Sequence, residues 1–184
     1  NFSQQVYLQF DGFNADYVLM SDVDGDFSSG ATVVGRLDAN GVVQATLTHD
    51  TYYTVVKMST ASFSAASSAG AESVNSKVLT VNLSTVSTVD VNVAYTVTGA
   101  ATPSGTDYTL AAGTLTIAAG ASSGTITIAI VDDSLDESNE TVIVTLTSTD
   151  VVLGTSVHTY TINDNDAAPT VDFNVTSSNG AESA

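Results

Sequence analysis

Hydrophobic and polar residues alternate with period two along most of this chain. The alternation is cleanest in Lys77–Ser84, Val89–Val97, Gly113–Ala119, Gly124–Val131, Glu140–Ser148 and Val157–Asn163. Side chains two apart lie on one face of a strand, and these runs are rich in β-branched Thr, Val and Ile, so each predicts a half-buried strand. With the short run ASFSA at Ala61–Ala65 they make seven strands. Gly99, Pro103, Gly105, Gly120 and Gly154 punctuate them at the spacing of an antiparallel β-sandwich. Residues 1–60 alternate too, in Val6–Phe10, Asp16–Met20, Val33–Asp38, Val42–Leu47 and Tyr52–Met58. Asp38-Ala-Asn-Gly41 predicts a hairpin turn between two of these runs, because Asn-Gly tolerates positive φ. The expected fold is therefore all-β: a smaller β-rich unit at 1–60 followed by a sandwich at 61–166.

A repeat changes the picture of the end of the chain. Phe63-Ser-Ala-Ala-Ser-Ser-Ala-Gly-Ala-Glu-Ser73 recurs as Phe173-Asn-Val-Thr-Ser-Ser-Asn-Gly-Ala-Glu-Ser183, identical at 7 of 11 positions with a constant offset of 110. That period is one sandwich long, so residues 167–184 are expected to be a linker and the first strand of a second copy. Pro169 stops the last strand from running on into it. Such a lone first strand also makes exchange of strands between molecules conceivable.

Charge supplies the candidate chemistry. Lys and Arg total 3 against 20 Asp and Glu, a net charge of −17. This balance excludes nucleic acid, which recruits basic faces, and anionic membrane surfaces. It favours cations. No apolar run reaches the length of a membrane-spanning helix. No cysteine is present, so neither disulfides nor thiolate metal ligation are available. Residues 61–166 hold 11 acids and one basic residue, Lys77. Five of the acids, Asp132, Asp133, Asp136, Glu137 and Glu140, crowd the loop between two predicted strands. If successive strands alternate in direction, the first, third, fifth and seventh end at one pole. Glu72, Asp107, the 132–140 loop, Asp164 and Asp166 then share a rim that carries 9 of the 11 acids. Crowded like charges repel, and a hard cation such as Ca2+, which takes about 6–8 oxygens, gathers them. An acidic, fully solvated rim is the alternative. A second acidic turn, Asp22-Val-Asp-Gly-Asp26, has alternating carboxylates but lacks the EF-hand spacing, so it is either a short non-EF calcium loop or a plain acidic turn.

Residues 61–166 resemble the Calx-beta domain, a module of sodium–calcium exchangers, integrin β4 and many bacterial surface proteins. The resemblance rests on Ala100 with Ser104-Gly-Thr-Asp-Tyr108, Gly113-Thr-Leu-Thr-Ile117, Ala119-Gly120, Ile130-Val-Asp-Asp133 with Glu137 and Glu140, and the closing Ile162-Asn-Asp-Asn-Asp166. It implies an immunoglobulin-like sandwich with calcium on this rim. Carried over by position, it implies Glu72, Asp107, Asp132, Asp133, Glu137, Glu140, Asp164 and Asp166 as ligands. Lesser candidates, read from the residues themselves, are Asp136 and Asn165 in the same stretches and Asp22, Asp24 and Asp26 in the separate acidic turn. Ser134 stands where calcium-binding members often have a third Asp, and Asn165 interrupts the closing acidic triplet.

Catalysis is not expected. Paired carboxylates such as Asp132 and Glu137 suit a glycosidase, but that chemistry needs a cleft walled by aromatics, and Tyr108 is the one aromatic expected near the rim. His158 alternates within its strand and His49 sits at a turn, so both are expected to be structural. The function expected from the whole pattern is a calcium-binding structural or adhesive repeat of a long extracellular or cell-surface bacterial protein. Its partners would be neighbouring repeats, other copies of the chain or a surface ligand. An exchanger-type regulatory calcium sensor and an accessory domain of a secreted hydrolase are the alternatives.

Overall fold

A computed structural model describes residues 3–14, 16–25, 27, 31–172, 174, 177, 179 and 180. Every regular element among them is a strand. The expected copy of the Phe63–Ser73 segment lies largely outside the described residues, as does Asp26.

The first unit holds β1 (Ser3–Gln9), β2 (Tyr17–Asp22), β3 (Thr32–Arg36), β4 (Val42–Thr48) and β5 (Tyr52–Lys57). β1 pairs with β4, and β2 lies between β3 and β5. Leu19, Leu37, Val43 and Ala45 are buried together between the two small sheets, with Leu8, Phe10, Tyr17 and Val55 around them. The Asp38–Gly41 turn forms as its residues predict: Asp38 Oδ1 accepts the amides of Asn40 and Val42 at 2.8 and 2.9 Å, and Gly41 takes φ +75°. It is not a hairpin. The strands on either side of it enter different sheets. The turn chemistry is local, whereas each strand's partner is chosen by which face it must bury.

The second unit is a sandwich of two five-stranded sheets. One has the order β10 (Tyr108–Thr109), β12 (Ser123–Ile130), β8 (Ser76–Leu83), β6 (Thr60–Phe63), β14 (Val152–Leu153). The other has the order β11 (Gly113–Ile117), β9 (Val91–Gly99), β13 (Glu140–Thr147), β15 (Val157–Asn163), β7 (Ser67–Ala71). The inward positions of the alternating runs meet in one core. Val81, Val93, Ile128, Val142 and Val144 are fully buried in it, with Leu79, Ile117, Ile126, Leu146 and Tyr160 packed around them. The outward positions of the same strands, such as Thr96, Thr98, Thr125 and Thr127, are exposed. One apolar and one polar residue per pair is what a sheet with one wet face requires.

The first sandwich strand departs from expectation. Instead of one strand at Ala61–Ala65, the chain makes two. β6 pairs antiparallel with β8, then the chain crosses at 64–66 and β7 pairs parallel with β15 in the opposite sheet. Phe63, buried at the end of β6, anchors the crossing. His158, expected to be a plain strand residue, anchors the far side. It is buried and packs its ring 5.5 Å from that of Phe63. Ala65 O accepts from Nδ1 at 2.7 Å, so Nδ1 carries the ring proton and Nε2 accepts the Ser68 hydroxyl at 2.8 Å. The contact ties β7 down; it is not a nucleophile pair aimed at a cleft.

Candidate metal centre

The crossing fixes where the acids go. Because β7 runs parallel to β15, both end at the same pole. The Glu72 amide follows directly on β7 and donates to Asn163 O at 2.9 Å. β13 is antiparallel to β15 and pairs Glu140 with Ile162, so the start of β13 joins them. β10 pairs Tyr108 with Ile130, which brings the Asp107 loop beside the start of the 131–140 loop. The Val131 amide donates to Asp107 O at 2.9 Å. Four segments far apart in sequence therefore converge on one rim.

A small cavity of about 10 Å3, roughly the room one water molecule needs, sits in this rim. Glu72, Asp107, Glu137, Ser138, Glu140, Ile162 and Asp164 line it. Beside it, one carboxylate oxygen each from Glu72, Asp164 and Asp166 lie within 4.8 Å of one another. Glu72 and Asp107 are buried, and Glu140, Asp164 and Asp166 are half-buried. The side chains are held by local hydrogen bonds that leave other oxygens available. Glu72 Oε1 accepts the Asp133 amide at 3.3 Å. Asp107 Oδ2 accepts the Thr102 amide. Asp133 Oδ1 accepts the Leu135 amide at 2.7 Å, and Asp164 Oδ1 accepts the Asp166 amide at 3.4 Å.

The electrostatics are those of a site short of positive charge. Glu140 is pushed up to about 7, first by a side-chain hydrogen bond with Asp107, then by burial and by the charges of Asp107 and Glu137. Two carboxyls that share a hydrogen bond must hold a proton between them. Burial raises Glu72, and the charges of Asp133, Asp166 and Asp164 add to it, against the Asp133 amide, which lowers it. Burial also raises Glu137, with Asp107, Asp133 and Asp164 contributing. Asp166 is raised by burial and by Asp164, Asp132, Asp133 and Asp136. All nine acids of the expected rim thus act on one another. The other two, Asp90 and Asp150, cap strand ends elsewhere: Asp90 Oδ1 accepts the Ala119 amide at 2.8 Å and Asp150 Oδ2 the Asn92 amide at 3.0 Å.

The residues fit a hard cation. Among the described residues, two buried carboxylate oxygens, Glu140 Oε2 and Asp166 Oδ2, have no hydrogen-bond partner. A buried unpaired carboxylate oxygen is costly, and an all-oxygen donor set on converging loops is what Ca2+ takes.

The expected candidates separate by position. Glu72, Asp107, Glu137, Glu140, Asp164 and Asp166 line the cavity or the three-oxygen cluster. Asp132, Asp133 and Asp136 are exposed at the lip. Asn165 points elsewhere, its Oδ1 accepting the Ser73 amide at 3.0 Å. Asp22 and Asp24 lie in the first unit, apart from the rim. The buried Asp22 takes the Phe27 amide on Oδ2 at 2.8 Å and the Asp24 amide on Oδ1 at 3.4 Å. Burial raises its pKa, but hydrogen bonds from Phe27, Asp24 and Val23 together outweigh burial and hold it below the usual value. One supporting residue had no sequence signal of its own. Asn139 accepts the Asp164 amide at 3.2 Å and so joins the 132–140 loop to the end of β15.

A family model described as the Calx-beta domain matches residues 49–166. Among solved structures, the apo form of the Calx CBD1 domain aligns with a TM-score of 0.54 at 21% identity, covering 60% of this chain and 100% of that one. The calcium binding domain CBD12 of CALX1.1 aligns with a TM-score of 0.53 at 24% identity, covering 58% of this chain and 44% of that one. CBD12 from CALX1.2 gives 0.53 at 22%, with 58% and 44% covered. These identities show a shared fold. The chain spans less than half of either CBD12 structure. No curated protein matches the chain.

Proposed function

This chain belongs to the Calx-beta domain family, and on that premise we propose that it is a calcium-binding structural module. Glu72, Asp107, Glu137, Glu140, Asp164 and Asp166 hold the metal, and Asp132, Asp133 and Asp136 draw it in. The observation that carries this is the pair of buried carboxylate oxygens, Glu140 Oε2 and Asp166 Oδ2, left without partners among the described residues at the Glu72–Asp164–Asp166 cluster. When bound, Ca2+ supplies the positive charge that the rim lacks. It joins the ends of β7 and β15, the Asp107 loop and the 132–140 loop. It also fixes the outlet at Asp164–Asp166, from which the chain runs on towards the second copy of the repeat.

The work of such a module is mechanical. A rim stiffened by calcium sets the angle between one repeat and the next, which suits a long extracellular or cell-surface protein used for extension or adhesion. The 110-residue repeat, the lack of cysteine and the net charge of −17 support this setting. Neighbouring repeats are the partners. In this reading the acids serve as charge for the metal rather than as catalysts. A second reading, a regulatory calcium sensor, is favoured by the likeness to CBD12 structures described as calcium binding domains. Membrane spans in a longer protein containing this chain would favour the sensor, and further tandem repeats would favour the structural module.

The test is thermal denaturation of the chain in millimolar Ca2+ and in chelator. Melting at the same temperature in both rejects the proposal. X-ray scattering from two repeats in tandem then tests the joint. A longer, stiffer particle with Ca2+ is the expected result.

A further inference from the structure

A second cavity lies at the pole of the sandwich opposite the acidic rim. β9 and β13 are antiparallel, with Gly99 at the end of β9 beside Val142 near the rim end of β13. The start of β9 and the end of β13 therefore share the other pole. There the cavity holds about 440 Å3, and both units contribute to its walls. Val18, Val33 and Met58 come from the first unit. Val89, Asp90, Val91 and Asp150 come from the sandwich. Small-molecule sites have volumes of roughly 300–1,000 Å3, favour junctions between units, and combine apolar walls with a few polar groups.

The apolar part has a buried floor and an exposed wall. Val18, Met58 and Val91 are buried. Val33 and Val89 line the same space, yet they are 62% and 66% exposed. A single exposed valine is ordinary, but two on one cavity, one from each unit, leave an apolar wall in water. The polar part is Asp90 and Asp150. These are the two of the sandwich's 11 acids that the rim does not use. Far apart in sequence, they are both exposed and both line this cavity. Each is fixed by one oxygen: Asp90 Oδ1 accepts the Ala119 amide at 2.8 Å, and Asp150 Oδ2 accepts the Asn92 amide at 3.0 Å. Each keeps a second oxygen with lone pairs for a ligand. The segment before Asp90 is fixed as well, since Ser87 Oγ donates to Val89 O at 2.6 Å and accepts the Val89 amide at 3.1 Å. No Lys, Arg or His is among the described residues that line the cavity, so it supplies no counter-charge of its own.

We propose that this cavity binds a small amphipathic amine. The apolar body lies against Val18, Val33, Met58, Val89 and Val91, and the ammonium group pairs with Asp90 and Asp150. The class follows from the lining. Two carboxylates repel an anion. A neutral apolar molecule leaves them without a partner, and a bare metal ion leaves the valines wet. The net charge of −17 draws a cation in from a distance. Because the lining comes from both units, the ligand joins them. The site shares no residue with the calcium rim and does not depend on it.

The experiment follows backbone and methyl NMR shifts of the 184-residue chain, in millimolar Ca2+ and ordinary salt, as cyclohexylmethylamine is added. Cyclohexylmethanol and cyclohexanecarboxylate, its neutral and anionic counterparts, go into parallel samples. The amine is expected to give saturable shifts at Val18, Val33, Met58, Val89 and Val91. The alcohol is expected to bind there roughly tenfold more weakly, the worth of two exposed ion pairs, and the carboxylate not at all. Asp90→Asn with Asp150→Asn keeps an oxygen to accept the Ala119 and Asn92 amides but removes the charge. It is expected to bind the amine no better than the alcohol. Val89→Arg puts bulk and positive charge on the exposed wall and is expected to bind neither. Unchanged shifts elsewhere in the spectrum show that each variant is folded. No saturable shift at the cavity, shifts confined to rim residues such as Glu72 and Asp164, equal binding of the three probes, or undiminished amine binding by either variant each overturn the proposal. Rim and cavity report through different residues, so a failure of calcium binding is read separately from a failure of amine binding.

Discussion

Glu72 Oε1 accepts the amide of Asp133 at 3.3 Å, across 61 residues of sequence. The bond joins the end of β7 to the acidic loop after β12, and it leaves Glu72 within a cluster with Asp164 and Asp166. One carboxylate therefore has two roles, a structural acceptor and a source of negative charge. Glu72→Gln separates them, since the amide oxygen still accepts from Asp133 while the charge is gone. The variant is expected to melt higher than wild type in chelator, because one term of the repulsion is removed. It is expected to gain much less from Ca2+. Paired melting curves with and without metal check both.

The raised carboxyls give a pH dependence with a definite sign. Glu140 is pushed up to about 7 and Glu72, Glu137 and Asp166 are raised in the folded state. Between the ordinary carboxyl range near 4.5 and about 7, the folded state then binds more protons than the unfolded one. The metal-free protein is therefore expected to lose stability as pH rises through that window. With Ca2+ bound the carboxylates are wanted ionised, and the slope is expected to flatten or reverse. Urea midpoints at pH 5, 6, 7 and 8, in chelator and in Ca2+, check this.

Ser68→Ala removes the hydroxyl that His158 Nε2 accepts from and leaves a buried acceptor unpaired. A loss of about 1–3 kcal/mol is expected, read from urea unfolding. Glu72 is four residues further along the same edge, so calcium affinity is expected to fall as well, although Ser68 is not among the rim residues.

Asn139→Ala tests support of the site from outside it. Its side chain holds the amide of Asp164 without lining the cavity. Removing an outer partner of a metal ligand costs roughly 10–100-fold in affinity. Titration is expected to show a loss near the lower figure with little change in metal-free stability.

Much of this arrangement was legible in the sequence, and the reasons are physical. Period-two alternation fixes which face of each strand is buried, and alternating strand direction sends Glu72, Asp107, the 132–140 loop and Asp164 to one end. Pairing is not local, so it was not legible. Nothing in Ser64-Ala-Ala66 signals a change of sheet, yet the chain crosses there because Phe63 and Ser68 find partners in opposite sheets. The Asp38–Gly41 turn was legible, but the parting of its two strands was not. β10 and β14, two residues each, are too short to show a period. The position of Asn165 was obscured by its acidic neighbours, whose pattern it shares while its own side chain faces Ser73.

Calcium titrated into the metal-free chain by calorimetry tests the central claim most directly. Saturable binding is expected, weakened by Glu72→Gln and abolished by Asp164→Asn with Asp166→Asn. At free Ca2+ about 100-fold above Kd, binding contributes about 2.7 kcal/mol, so melting is expected to rise by roughly 5–10 °C. No heat of binding and no shift in melting, in a chain that is folded, would contradict the account and leave the rim as a solvated acidic surface.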